Sequence, residues 1–215
     1  MTPEVTVSAA AAQSGNRLAI AFVVAWLAAG ASARLVGIWV AIGSAALVLG
    51  VATLVFDWPA SRDGLRPTAR AALIGLAAGA VMSLCTYLVY PLALRIAPFI
   101  AADTAFLYAA FRVPPAAVAS LMLVPVILGE ELVWRGAVQS ALVRRFGPVR
   151  GVALAGILYG VAVAPLGSPI LVVVAFACGV TWGTLRLTSA SLVTPLLAHL
   201  LWDLLVLVWM PLDLR

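Results

Sequence analysis

Residues 35–56, LVGIWVAIGSAALVLGVATLVF, form a run of 22 residues that contains no charge. An apolar helix of about 20 residues crosses the hydrocarbon core of a bilayer, so this run predicts a membrane span. Further apolar runs, bounded by charges or prolines, lie at 18–33, 71–94, 116–135, 151–164, 170–188 and 191–212. Together the runs predict an all-α fold, a polytopic integral membrane bundle of about seven spans.

The composition agrees with a membrane protein. Of the 215 residues, 65% are hydrophobic and 10% are charged, whereas an ordinary soluble domain has about 25% charged residues. All 13 basic residues are arginines, and they lie at segment ends rather than in one cluster. This pattern excludes a disordered chain, a secreted disulfide scaffold and a nucleic-acid-binding protein, and it makes membrane lipid the expected surrounding.

The chain divides into a tail and one membrane domain. Residues 1–17 are small and polar and predict a disordered N-terminal tail. We expect N-terminal membrane helices over 18–115 and a core over 116–212. Within this domain, segment 95–115 is expected not to span the membrane. Segment 136–150 is expected to be an interfacial helix end followed by a turn at Phe146-Gly147-Pro148.

The arginines also predict which way the chain crosses the membrane. Alternating spans place eight of them on one side and four on the other, and the positive-inside rule assigns the richer side to the cytoplasm. The N-terminus is therefore expected in the cytoplasm, in a multi-pass protein of a bacterial inner membrane. The eight arginines expected on the cytoplasmic side are Arg17, Arg62, Arg66, Arg70, Arg144, Arg145, Arg150 and Arg186. The four expected on the opposite side are Arg34, Arg95, Arg112 and Arg215.

Pairs of glycines four residues apart occur within three spans. Such pairs let helix backbones approach closely, so they predict a compact bundle. The pairs are Gly75 with Gly79, Gly156 with Gly160, and Gly179 with Gly183.

Five ionisable groups lie inside two of the predicted spans. They are Glu130, Glu131, Arg135, His199 and Asp203, and His199 is the only histidine in the chain. A charged side chain near the bilayer centre costs roughly 2.5–3.5 kcal/mol on the insertion scale. Groups placed there at such a cost indicate a functional site.

The spacing of these groups predicts how they face one another. Glu131 and Arg135 are four residues apart, so on a helix they share one face and can form an ion pair. Glu130 is turned about 100° away from Glu131 and points toward a neighbouring helix. His199 and Asp203 also share one face, and the predicted topology places both pairs at a similar depth.

These residues limit the chemistry. With a single histidine, a zinc protease motif is absent, and no serine has the context of a nucleophile elbow. A buried carboxylate such as Glu130, beside an arginine-paired carboxylate, fits a general base. His199 can donate to a developing oxyanion, with Asp203 orienting its ring or joining it. The pattern predicts hydrolysis of an amide by activated water without a cofactor; a bound divalent metal stays open as an alternative.

Two motifs resemble those of a known family. EELVWR at 130–135 resembles the Glu-Glu-x-x-x-Arg signature of the CAAX-processing and bacteriocin-processing (CPBP, or Abi) intramembrane protease family. HLLWD at 199–203 matches the family's final His-x-x-x-Asn/Asp motif, and GTLRLTSASLVTP at 183–195 is similar to the stretch that precedes it. The resemblance covers about 116–212, nearly half of the chain.

The resemblance implies a helical membrane endopeptidase with a glutamic mechanism. Glu130 would then be the base, Glu131 and Arg135 its support, and His199 and Asp203 the oxyanion and positioning groups. The partner it implies is a protein or peptide substrate with a C-terminal or membrane-proximal cleavage site.

One motif departs from the family pattern. The middle motif is normally Phe-x-x-x-His, and the aligned stretch here is YGVAV at 159–163. Tyr159 replaces the phenylalanine and Val163 the histidine, and both are expected to line the site. Losing an acid–base partner typically lowers a rate by about 10²–10⁴.

Two other functions stay open. The chain could be a catalytically impaired binding, immunity or assembly protein, as Val163 suggests. It could also be a small proton-coupled transporter that uses Glu130, Glu131 and Asp203, although the inverted repeats common in transporters are not evident.

Overall fold

The computed structural model describes residues 9–56 and 58–214, and these residues contain helices but no strand. In order, the helices are α1 Ala9–Val36, α2 Ile38–Phe56, α3 Trp58–Gly64, α4 Ala69–Ile96, α5 Phe99–Phe111, α6 Ala116–Glu131, α7 Gln139–Phe146, α8 Pro148–Val163, α9 Pro169–Ser189 and α10 Val193–Asp203. Two π-helical segments, Leu132–Val138 and Leu204–Trp209, follow α6 and α10. Short 3-10 turns lie at Ala164–Leu166 and Leu212–Leu214. The predicted all-α fold is confirmed.

Six segments within the described residues are long and apolar enough to cross a membrane. They are Asn16–Val36, Ile38–Phe56, Ala69–Ile96, Ala116–Phe146, Pro148–Leu166 and Pro169–Ser189, and each corresponds to one predicted run. The last predicted run forms the shorter apolar segment Val193–Trp209, whose helix α10 packs against α4, α6 and α9. The chain is an integral, multi-pass membrane protein.

Two boundaries differ from those expected. Helix α1 begins at Ala9, so residues 9–17 of the expected tail are helical, because the alanine-rich stretch favours a helix; residues 1–8 lie outside the described part. The fourth span continues past residue 135 to Phe146. Its last turn contains Arg144 and Arg145, whose charges suit a helix C-terminus.

The turn expected near Pro148 is confirmed. Gly147 has a φ of +80°, which an L side chain rarely adopts. Pro148 then occupies the first position of α8, where its missing N–H costs nothing. The two residues therefore end α7 and reverse the chain into α8.

The predicted glycine pairs lie where helix backbones meet. A Cβ added to Gly75 would lie 2.5 Å from the carbonyl oxygen of Thr194, and one added to Gly79 would lie 2.8 Å from that of Ala198. A Cβ on Gly179 would lie 3.1 Å from Cα of Gly156. The glycines thus bring α4 against α10 and α8 against α9, which is the close approach that the spacing predicts.

Hydrogen bonds gather the connecting segments at the two ends of the bundle. At one end, the amide of Leu192 donates to the carbonyl of Gly64 over 2.8 Å. At the other, Asp103 on α5 accepts from the hydroxyl of Ser168 and the amide of Ile170 over 2.7 and 2.9 Å. Arg112, the residue after α5, pairs with Asp213. The Asp103 contacts therefore tie α5 to the start of α9, and the Arg112 pair ties the end of α5 to the C-terminal segment.

Candidate active site

The two motifs lie on neighbouring helices. Glu130 and Glu131 are the last residues of α6, and the π-helical segment Leu132–Val138 follows directly. Asp203 is the last residue of α10, and the π-helical segment Leu204–Trp209 follows it. π-Helical turns are frequent at functional sites, and here one adjoins each motif.

Glu131 connects the motifs. Its Oε1 lies 3.3 Å from Nη1 of Arg135 and 2.8 Å from Nδ1 of His199. All three side chains are almost fully buried, with 1–3% of each exposed. The Glu131–Arg135 pair that the spacing predicts is therefore present, and the same carboxylate also reaches the last motif on α10.

Two neighbours fix the His199 ring. Glu131 contacts Nδ1, and the indole of Trp182 stacks on the imidazole with ring centroids 3.6 Å apart and planes inclined by 20°. Oδ2 of Asp203 lies 3.6 Å from Nε2, which is longer than a hydrogen bond. Glu131 and Trp182 are therefore the groups in direct contact with the ring, and Asp203 lies at ion-pair distance from Nε2.

Glu130 has a different partner from Glu131. The hydroxyl of Tyr159 on α8 donates to Oε2 of Glu130 over 2.8 Å. This contact agrees with the expectation that Glu130 points toward another helix. The two adjacent carboxyl groups thus have separate surroundings.

A cavity of about 470 Å³ lies beside these groups. Glu130, Tyr159, His199 and Asp203 line it, whereas Glu131 and Arg135 do not. Most of its remaining wall is apolar and comes from α2, α4, α5, α6 and α9. The cavity therefore presents a few polar groups within a largely apolar wall, as ligand pockets commonly do.

Val163 also lines this cavity. It lies one helical turn after Tyr159 on α8, so both predicted lining residues are on the same wall. The resemblance implies a histidine at this position, and the structure has the apolar side chain of Val163 there, facing the cavity.

Three residues near the site were not expected from the sequence. Trp182 stacks on His199. Cys178 lines the cavity, and Gln139 donates to the carbonyl of Gly183 over 2.9 Å. Cys178 and Trp182 lie within an apolar run, so the sequence around them gave no indication that they belong to the site. Gln139 lies one helical turn after Arg135, and this spacing could have indicated that the two side chains share one face of the helix.

The arginine of the first motif is enclosed by rings. Its guanidinium carbon lies 4.7 Å from the centroid of Tyr159 and 5.1 Å from that of Trp182. Cation–π contacts of this kind stabilise a desolvated charge by up to about 2 kcal/mol. Arg135 thus packs against Tyr159, which contacts Glu130, and against Trp182, which contacts His199.

Within the described part of the chain, no three His, Cys, Asp or Glu side chains are arranged so that they could hold a metal ion. The acidic residues instead have Arg135, His199 and Tyr159 as partners.

Part of the chain matches a known protein family. Residues 111–205 match the model of the family described as Type II CAAX prenyl endopeptidase Rce1-like. No curated protein and no solved structure matches the chain significantly. The matched segment contains both motifs and both middle-motif positions. Residues 111–205 therefore match the CAAX protease family, which confirms the family that the motifs at 130–135 and 199–203 resemble.

Proposed function

We propose that the chain is an intramembrane endopeptidase that hydrolyses a peptide bond of a membrane-associated protein or peptide. The observation that carries the proposal is the division between the two adjacent glutamates. Glu130 lines the cavity together with His199 and Asp203, while Glu131 is buried against Arg135 and His199. A general base must reach water and substrate, and Glu130 is the glutamate of the motif that meets this requirement.

Glu130 acts as base and then as acid. Its carboxylate takes a proton from a water molecule in the cavity as the water oxygen attacks the scissile carbonyl carbon. The resulting tetrahedral intermediate collapses when the C–N bond breaks, and the Glu130 carboxyl returns the proton to the leaving amine. Proton transfer by a positioned side chain contributes about 10²–10⁴ to a rate.

His199 stabilises the negative charge that develops on the carbonyl oxygen. Nδ1–H donates to Glu131 and the ring is stacked on Trp182, so in the imidazolium form of His199 the Nε2–H is the donor available to the cavity. A donor that is already oriented toward the developing oxyanion needs no reorganisation during the reaction. Asp203, 3.6 Å from Nε2, positions the substrate in this scheme.

We place the N-terminus and the site's entrance on the cytoplasmic side of a bacterial inner membrane. The excess of eight arginines over four supports this orientation. Reporter fusions at the N-terminus and in the loop at residues 65–68 test it. Both should lie on the cytoplasmic side, and a periplasmic result for either would reverse the orientation.

Purified protein tests the activity against a panel of peptides with C-terminal or membrane-proximal cleavage sites. We expect internal cleavage of at least one peptide and its loss in Glu130→Gln. Asp63→Asn is a matched control, because Asp63 is an exposed carboxylate that pairs with the exposed Arg66. Equal cleavage by the wild type and Glu130→Gln would refute the mechanism.

A non-catalytic binding protein is the second candidate, and Val163 favours it because this residue gives the cavity wall no acid–base group. For such a protein, the biological phenotype of a deletion strain should be restored by the Glu130→Gln gene as well as by the wild-type gene. Failure of Glu130→Gln to restore the phenotype would count against this candidate.

A further inference from the structure

Tyr159 provides a hydrogen bond to the glutamate that faces the cavity. Its hydroxyl donates to Oε2 of Glu130 over 2.8 Å, and both side chains are buried. Among the described residues, no other side chain hydrogen-bonds Glu130. One carboxyl oxygen is thus held by α8, and the other is left for a water molecule in the cavity.

Three neighbours hold the Tyr159 ring. It makes T-shaped contacts with Trp134 and Trp182, with centroid distances of 5.1 and 6.3 Å. The guanidinium of Arg135 lies 4.7 Å from its centroid. A ring enclosed in this way has little freedom to swing, so its hydroxyl occupies a defined point in the cavity wall.

The same wall contains no alternative donor near Glu130 on α8. The side chain one turn further, Val163, faces the cavity and is apolar. In this part of the site, therefore, the Tyr159 hydroxyl is the polar group that α8 contributes.

We propose that Tyr159 is a positioning residue that holds the Glu130 carboxyl in its orientation within the cavity. The catalytic part of this inference rests on the proposed function, in which Glu130 is the base. Tyr159 acts through Glu130 and does not itself transfer the proton. A fixed carboxyl keeps its free oxygen directed at the attacking water, and such orientation contributes to the rate without changing substrate affinity.

The kinetic test compares Tyr159→Phe with Tyr87→Phe. Phenylalanine keeps the ring contacts with Trp134, Trp182 and Arg135 and removes only the hydroxyl. Because a hydrogen bond to a charged group contributes a few kcal/mol, kcat should fall by about 10- to 100-fold. KM should stay unchanged, as expected when an interaction acts on the chemical step.

Tyr87→Phe is the matched control, since the Tyr87 hydroxyl donates to the carbonyl of Met210 over 3.1 Å and Tyr87 does not line the cavity. This variant should keep the wild-type kcat. An unchanged kcat in Tyr159→Phe, or an equal fall in both variants, would overturn the proposal.

Infrared spectroscopy tests the contact independently of peptidase activity. The carboxyl band of Glu130 is isolated as the difference between the wild type and Glu130→Gln. Tyr159→Phe should shift this band and Tyr87→Phe should leave it in place. A shift in a protein that cleaves no peptide would support the positioning of Glu130 while refuting the proposed function. An unshifted band would overturn the positioning itself.

Discussion

Oε1 of Glu131 lies 2.8 Å from Nδ1 of His199, and this contact joins two motifs that are 68 residues apart in the chain. The same oxygen lies 3.3 Å from Arg135, so one carboxylate faces two nitrogen-bearing side chains. This arrangement leaves Glu130 as the carboxyl group of the motif that meets the cavity. We infer that Glu131 holds the site together and that Glu130 performs the chemistry.

Glu131→Gln should reduce the stability of the protein. The substitution keeps the shape of the side chain but leaves the charge of Arg135 buried without its partner. Removing one member of a buried pair typically costs about 3–5 kcal/mol, and the free energy of unfolding in mixed micelles measures this loss. The control Asp63→Asn removes an exposed pair with Arg66 and should change stability by less than about 1 kcal/mol. Similar unfolding curves for the two variants would contradict the structural role of Glu131.

His199→Phe should lower kcat with little change in KM. Phenylalanine keeps a ring against Trp182 but has no N–H, so it removes the donor that we assign to the oxyanion, and loss of one such donor typically lowers kcat by about 10²–10³. Steady-state kinetics on a cleaved peptide measure both constants, and an unfolding curve checks that the variant is folded. A folded variant with wild-type kcat would show that the oxyanion is stabilised elsewhere.

Gly79→Val on α4 should displace the last motif, which lies on α10. A Cβ at this position would lie 2.8 Å from the carbonyl oxygen of Ala198, the residue before His199, so α4 or α10 must shift. Overpacking of this kind typically lowers the free energy of unfolding by about 1–3 kcal/mol. Activity should therefore fall together with the melting temperature. Ala80→Val adds a larger side chain at the next, exposed residue of α4 and should leave both quantities unchanged. Equal effects of the two variants would exclude a specific contact between α4 and α10.

Val163→His should raise kcat. It places an imidazole on the wall of the cavity that already contains Glu130 and Tyr159, at the position where the resemblance implies a histidine. An additional acid–base partner typically contributes about 10²–10⁴ to a rate. Kinetics of the variant beside Val163→Leu, which keeps the position apolar, measure the gain. If histidine and leucine give the same rate, a partner at this position has no role in the reaction of this protein.

Much of the architecture could be predicted from local patterns. Apolar runs long enough to span a bilayer predict helices without reference to any other part of the chain. The Glu131–Arg135 pair follows from helix geometry alone, since residues four apart share a face. The glycine pairs could be recognised for the same reason, and the structure places them at helix contacts.

Contacts between helices could not be predicted in this way. The spacing of His199 and Asp203 predicts that they share one helix face. It does not predict that Glu131 contacts Nδ1 from another helix or that Trp182 stacks on the ring. Those contacts depend on how α6, α9 and α10 cross, which is determined by packing along their whole length. The fourth span is longer than its apolar run because the expected interfacial helix end continues the same segment to Phe146, with Arg144 and Arg145 in its last turn.

Incorporation of heavy oxygen tests the central claim, that Glu130 activates water for peptide hydrolysis. The wild type, Glu130→Gln and Asp63→Asn are reconstituted in liposomes and incubated with a cleavable peptide in water labelled with oxygen-18. Mass spectrometry of the product follows the new carboxyl group. We predict a labelled carboxyl terminus, formed at the same rate by the wild type and Asp63→Asn and at least about 10²-fold more slowly by Glu130→Gln. Labelled product from Glu130→Gln at the wild-type rate would contradict the account.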